Sequence, residues 1–187
     1  MRRNRGLRLP PPPPGLTPRA RTAWVLVAAL ASAAATIVVP MCPRLDDAGR
    51  PLWRVEAVHD GDTVTCLDTD GRSWKIRLVG IDAPEHGQPY GDESRRALAR
   101  KLADGLVRVE GDARDQHGRL LGTLRLGARD LNRELVAEGM AWAFGGFRAD
   151  DDLVALEAGA RRERRGLWAD PEPLPPRQWR ELHPPHR

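Results

Sequence analysis

WRVEAVHDGDTVTCLDTDGRSWKIRLVGI, residues 53–81, decides the fold. Two dipeptides, Asp60-Gly61 and Asp70-Gly71, divide it into three short runs of strand-forming residues. Glycine accepts positive φ, so each dipeptide suits a tight hairpin. The spacing predicts strands over Trp53–Asp60, Asp62–Asp68 and Ser73–Ile81, in meander order. In the third, Trp74, Ile76 and Leu78 alternate with Lys75 and Arg77, the period of a strand with one face in a core.

Downstream, Gly91–Ala103 reads as a helix with Ala97, Leu98 and Leu102 on one face and Gly105 as its stop. Leu106–Glu110 and Leu120–Leu126 read as two more strands. Asp130–Glu138 is a second helix, ended by Gly139, and Asp151–Arg165 a third. Asp150, Asp151 and Asp152 suit the positive end of that third helix, which gives them a structural use and no chemistry. Five short strands and about three helices predict an α+β, mainly β domain over residues 53–170: a five-stranded Greek-key barrel of the OB type. Residues 171–187 are Pro-rich and are expected to wrap or fray.

Upstream, residues 1–22 form a basic, Pro-rich leader, and the 17 residues of AWVLVAALASAAATIVV (23–39) carry no charge. Arginines ahead of such a stretch predict a cytoplasmic N-terminus with the rest of the chain outside the cytoplasm. A hydrophobic N-terminal helix is therefore expected, as an uncleaved membrane anchor or as a signal peptide cut near Ala31-Ser32-Ala33. Residues 40–52 read as a linker.

The net charge of +4 comes from the leader, which holds six arginines and no acid; the remainder is near −2. Nucleic-acid binding would thus need a local site, not a wide cationic face. Two cysteines, Cys42 and Cys66, exclude a four-cysteine zinc site, and Cys66 in a strand-like run reads as a small buried hydrophobe.

Three turns carry polar groups that turn geometry alone does not require. Asp62 opens a strand, where Asp is disfavoured. In RLVGIDAPE (77–85), Asp82 ends a strand, Pro84 forces Ala83 into an extended conformation that aims its carbonyl, and Glu85 follows. In DQHGR (115–119), Arg119 stands at the mouth of the next strand. Each alone has an ordinary reading as a turn acid or a solvated arginine. Together they supply hard oxygen ligands of the kind calcium takes, a carboxylate able to orient or deprotonate water, and guanidinium forks that match phosphoryl oxygens.

VHDGDTV (58–64), IRLVGIDAPE (76–85), YGDESRRAL (90–98), DQHGR (115–119), LNRELVAEGMAW (131–142) and RRERRGLW (161–168) together resemble the staphylococcal nuclease family. The resemblance spans about Trp53 to Trp168. It implies an OB-fold phosphodiesterase that hydrolyses DNA and RNA with calcium, leaving 3′-phosphate and 5′-hydroxyl ends. By the same resemblance, Asp62 and Asp82 would be the carboxylate ligands of Ca2+ and Ala83 its backbone-carbonyl ligand. Glu85 would activate water, and Arg77 and Arg119 would stabilise the transition state. Single-stranded or locally open DNA or RNA is the implied substrate, with the membrane a second partner if the N-terminal segment stays uncleaved, and the chain is expected to be a monomer. Gln116 and His117 depart from the Lys-Tyr pair usual before the second arginine, and Phe144 or Phe147 stands where stacking tyrosines occur. Those departures bear on substrate affinity. The rival reading is a non-catalytic OB-fold module of the cell envelope that binds nucleic acid or protein; the presence of all five ionisable groups argues against it.

Overall fold

The computed structural model describes residues 44–144 and 150–184. The leader, the apolar segment 23–39 and Cys42 lie outside the described residues, as does Phe147. No helix among the described residues is long and apolar enough to cross a membrane.

The expected barrel is present, built from β1 (Trp53–Val58), β2 (Thr63–Leu67), β3 (Ser73–Leu78), β5 (Leu106–Glu110) and β6 (Leu120–Leu126). β1 pairs antiparallel with β2, and β2 with β3. β1 also pairs with β5, which pairs with β6. The barrel closes where β3 lies parallel to β6, with Ile76 opposite Leu120, Arg77 opposite Leu121 and Leu78 opposite Gly122. Closure leaves no sheet edge at this seam and aligns the outward residues of the two strands. A short β7 (Arg129–Asp130) extends β6. Alternation puts Val64, Cys66, Ile76, Leu78, Val107 and Leu124 inside, fully buried.

Helix α1 (Gly91–Lys101), α2 (Leu131–Ala137) and α3 (Asp151–Arg162) occupy the three expected positions with shorter ends. Asp130 caps α2 by accepting from the Arg133 N–H, and Asp150 caps α3 by accepting from the Asp152 N–H, which bears out the structural use of that acid. Leu98, Leu131, Leu135 and Val136 drop into the barrel's open end. Beside them Trp142 meets Trp168 edge-on at 5.3 Å, with the Arg161 guanidinium 3.6 Å over the Trp168 ring.

Three expectations need correction. The strand expected over Ser73–Ile81 stops at Leu78, because Gly80 takes φ +75° and turns the chain. Ile81–Asp82 then forms a separate β4, paired with β8 (Trp142–Ala143). The loop at Asp60-Gly61 is a four-residue connection closed by His59 N–H to the Thr63 carbonyl, and Gly61 does not take positive φ. Its glycine serves packing: a Cβ there would lie 1.8 Å from Ser94 Oγ and 2.7 Å from the Ala83 methyl. The residues read as a linker include a small closed loop, in which Asp46 accepts from the Ala48 and Arg50 N–H groups and Leu52 N–H reaches the Arg44 carbonyl. The Pro-rich tail, expected to wrap or fray, carries a helix, α4 (Pro176–Leu182), with proline at its first turn where the missing N–H costs nothing.

Candidate functional site

The turn at the end of β3 is held by a buried amide. Asn132 on α2 donates to the Val79 carbonyl at 2.9 Å and accepts from the Leu124 N–H at 3.2 Å. Phe144 N–H donates to the Gly80 carbonyl at 2.8 Å. These bonds fix the path from β3 into β4, and hence the side chains that leave it.

Asp62 ends the β1–β2 loop and is only 5% exposed. Its N–H donates to Asp60 Oδ1 at 2.9 Å and its carbonyl accepts from Leu78 N–H at 2.8 Å. Its Oδ2 accepts from the Ala83 N–H at 2.7 Å, and its Oδ1 from the Thr63 hydroxyl at 3.0 Å. Burial pushes this carboxyl up to about 7; Arg77 and the Ala83 N–H pull it down, while Asp60 and Asp82 push it further up. Asp82, on β4, is 4% exposed.

Arg77 lies between the two acids. Its Nη1 is 2.8 Å from Asp62 Oδ2 and its Nη2 is 2.9 Å from Asp82 Oδ1. Nη1 also donates to the Leu78 and Ile81 carbonyls, at 3.1 and 3.0 Å. Among the described residues Nε has no acceptor, so one edge of the fork is available to a phosphate. Arg119 is held by a single acid, since Asp115 accepts from its Nε at 2.7 Å and from its backbone N–H at 2.9 Å. Both arginines line one open cleft of about 500 Å³, together with Gln116, His117, Leu121 and Phe144. The β3–β6 seam explains the convergence: Arg119 lies two residues before Leu121, the partner of Arg77, and so shares its outward face. Phe144 is 55% exposed at the cleft wall.

Glu85 follows Pro84 on a turn pinned by Gln88, whose side chain accepts from the Glu85 N–H at 2.9 Å. Its carboxylate pairs with Nη1 of Arg180 on α4, and the same guanidinium reaches Asp82 Oδ2 at 3.2 Å through Nη2. The structure thus joins Asp62, Arg77, Asp82, Arg180 and Glu85 in one chain of ion pairs, with Arg119 lining the same cleft as Arg77. Ala83 sits between the two buried acids, itself buried.

Residues 75–170 match the family description "Staphylococcal nuclease homologue". An "Uncharacterized endonuclease" of Haemophilus influenzae is 37% identical over 127 residues, covering 68% of this chain and 71% of that protein. The chain belongs to the staphylococcal nuclease family. "Protein ParB" of Escherichia coli is 38% identical over 146 residues, 70% of this chain and 82% of the relative. "Micrococcal nuclease" of Shigella flexneri is 35% identical over 168 residues, 83% of this chain and 93% of the relative.

Arg180 and Gln88 are the two site residues that the sequence reading of this family member missed. Gln88 sits in a loop with no periodicity to mark it. For Arg180 a signal was present: Pro175-Pro176 followed by RQWREL carries a proline at the first helical position and an Arg177–Glu181 pair at i,i+4 spacing. His117 is an exposed turn residue, its N–H given to Asp115, as a surface reading expects.

Among the described residues no three His, Cys, Asp or Glu side chains gather within reach of one ion. Two buried carboxylates, with Ala83 bonded to one through its N–H and adjacent to the other in sequence, offer oxygen ligands alone, and Asp62 is desolvated enough to gain from any added positive charge. That donor set fits a hard cation that keeps several waters.

Proposed function

We propose that the protein is a calcium-dependent nuclease that hydrolyses phosphodiester bonds in single-stranded or locally open DNA or RNA, leaving 3′-phosphate and 5′-hydroxyl ends. One observation carries the reading: two arginines line a single cleft, and one of them, Arg77, also binds both buried acids. The family's named nucleases and endonucleases support it.

Asp62 and Asp82 would hold Ca2+ with the Ala83 carbonyl. Bound there, the ion would polarise a phosphoryl oxygen and offset charge on the transition state. Arg77 keeps its Nη1 and Nη2 on the acids and directs its remaining edge to the scissile phosphate. Arg119, held by Asp115, reaches the same phosphate from the cleft wall that it shares with Arg77. Glu85 accepts the proton of the attacking water, and the Gln88 bond to its backbone fixes where its carboxylate begins. Phe144 offers a face on which a base can stack without a hydrogen bond, which suits weak base preference.

Digestion of single-stranded DNA by the full chain, in calcium and in chelator, tests the proposal. Calcium-dependent products with 3′-phosphate ends are expected; equal cleavage in chelator contradicts the metal's role. The arginine-rich leader ahead of residues 23–39 supports export, into a compartment where calcium is abundant. A reporter fused after Pro40 that stays cytoplasmic contradicts it.

A further inference from the structure

Arg180 comes from the Pro-rich tail, and its guanidinium stands on Asp82 and Glu85, the carboxylates read above as a calcium ligand and the water-activating base. Nη1 pairs with Glu85 and approaches Asp82 Oδ1 at 3.5 Å, while Nη2 meets Asp82 Oδ2 at 3.2 Å. Both oxygens of Asp82 and one oxygen of Glu85 are therefore engaged by this side chain. Arg77 engages Asp82 Oδ1 as well, so no Asp82 oxygen is without a guanidinium. Each carboxylate oxygen keeps a second lone pair, but a divalent ion entering at Asp82 meets the Arg180 charge in addition to that of Arg77, and this added repulsion at ion-pair distance opposes its binding.

The arm that delivers Arg180 is attached at its base and lightly seated at its tip. Gln88 Nε2 donates to the Leu174 carbonyl at 2.6 Å, and Trp179 lines a small cleft with Tyr90, Trp142 and Leu167. Of α4 only Pro176 is buried, and the Arg180 side chain is 48% exposed. Of its two partners Glu85 is the more exposed, and exposed ion pairs contribute little to stability. Gln88 links the arm to the site directly, because its two ends bind the Glu85 N–H and the arm's Leu174 carbonyl.

We propose that the segment from Leu174 to Leu182 is an autoinhibitory strap, in which Arg180 acts as a tethered cation that must leave Asp82 and Glu85 before a divalent metal binds. The proposal rests on the calcium reading above and adds a regulatory step to it. The strap keeps the acids paired while calcium is scarce, and raises the calcium concentration at which the site fills. Anything that draws α4 away, including a polyanion competing for its arginines, lowers that threshold.

The test compares calcium affinity by titration calorimetry in the full chain, in Arg180→Ala, and in Arg177→Ala, which removes an equal charge from the exposed face of the same helix. Calcium is expected to bind Arg180→Ala at least about fivefold more tightly, with Arg177→Ala unchanged and with faster cleavage by Arg180→Ala at sub-saturating calcium. Unchanged or weaker binding in Arg180→Ala overturns the strap, as does an equal gain in Arg177→Ala. A tenfold or greater loss of cleavage by Arg180→Ala at saturating calcium also overturns it, and makes Arg180 a substrate-binding residue. If no form binds calcium while the full chain still cuts DNA, the metal reading falls and the strap falls with it. Intact calcium binding and cleavage without the Arg180 effect remove the strap alone.

Discussion

Asp62 and Ala83 meet because a glycine lets the β1–β2 loop approach its neighbours closely. Gly61 brings the β1–β2 loop against Ser94 on α1 and against Ala83, and the Ala83 N–H then reaches Asp62 at 2.7 Å. A methyl at position 61 has no room, so Gly61→Ala forces the loop off α1. Overpacking of this kind costs about 1–3 kcal/mol. Urea denaturation should show that loss, with calcium affinity falling in parallel because Asp62 and Ala83 move apart. An unchanged midpoint would mean that the loop accommodates the methyl and that the glycine has another use. The grouping was legible at this scale: Asp62, Arg77, Asp82 and Glu85, singled out together in the sequence, lie in one chain of ion pairs, and Arg119 lines the cleft with Arg77. The reason for Gly61 was not legible, because an Asp-Gly pair advertises a turn whether its glycine supplies φ or supplies room.

Among the elements, α2 does two jobs. Its buried Asn132 fastens the β3–β4 turn to β6, and its outer face carries an ion-pair cluster around Glu134. Arg129 and Lys101 hold the Glu134 carboxyl down at about 2, the Arg129 hydrogen bond being the largest cause. The native value lies below the ordinary 4.5, so the stabilisation is present above about pH 4.5 and is lost as pH falls toward about 2. Glu134→Gln should therefore narrow its stability gap from the unaltered chain as pH falls through that window. Thermal unfolding at several pH values checks this; a gap constant with pH would show that packing, and not charge, matters there. Strand and helix order was readable from periodicity, and the misreadings fall where local and distant forces disagree. β3 ends at Leu78 because Gly80 turns the backbone, while β4 exists only through its pairing with β8, a partner some sixty residues away along the chain that no local window contains. α4 was hidden by the prolines around it, although proline at a first turn is compatible with a helix.

At the scale of the whole molecule, the charge lies in the wrong place for broad electrostatic capture. Outside the leader the chain is near −2, so on the proposed reading the grip on substrate falls to the two arginines of the cleft and to the calcium that Asp62 and Asp82 would hold. Two phosphate contacts predict a shallow salt dependence for single-stranded DNA, with a log–log slope of about −1 to −2. A slope several times steeper, measured by fluorescence titration, would reveal a larger basic footprint. The barrel's contribution is to bring the arginines to one face through the β3–β6 seam, and to bury two acids where water cannot screen them. A single measurement bears most directly on this arrangement: the single-turnover rate of DNA cleavage by Glu85→Gln, in saturating calcium, with calcium affinity measured on the same sample. Loss of a positioned general base predicts a fall of about 10²–10⁴ in rate with calcium still bound. Cleavage by Glu85→Gln at the rate of the unaltered chain would contradict the account.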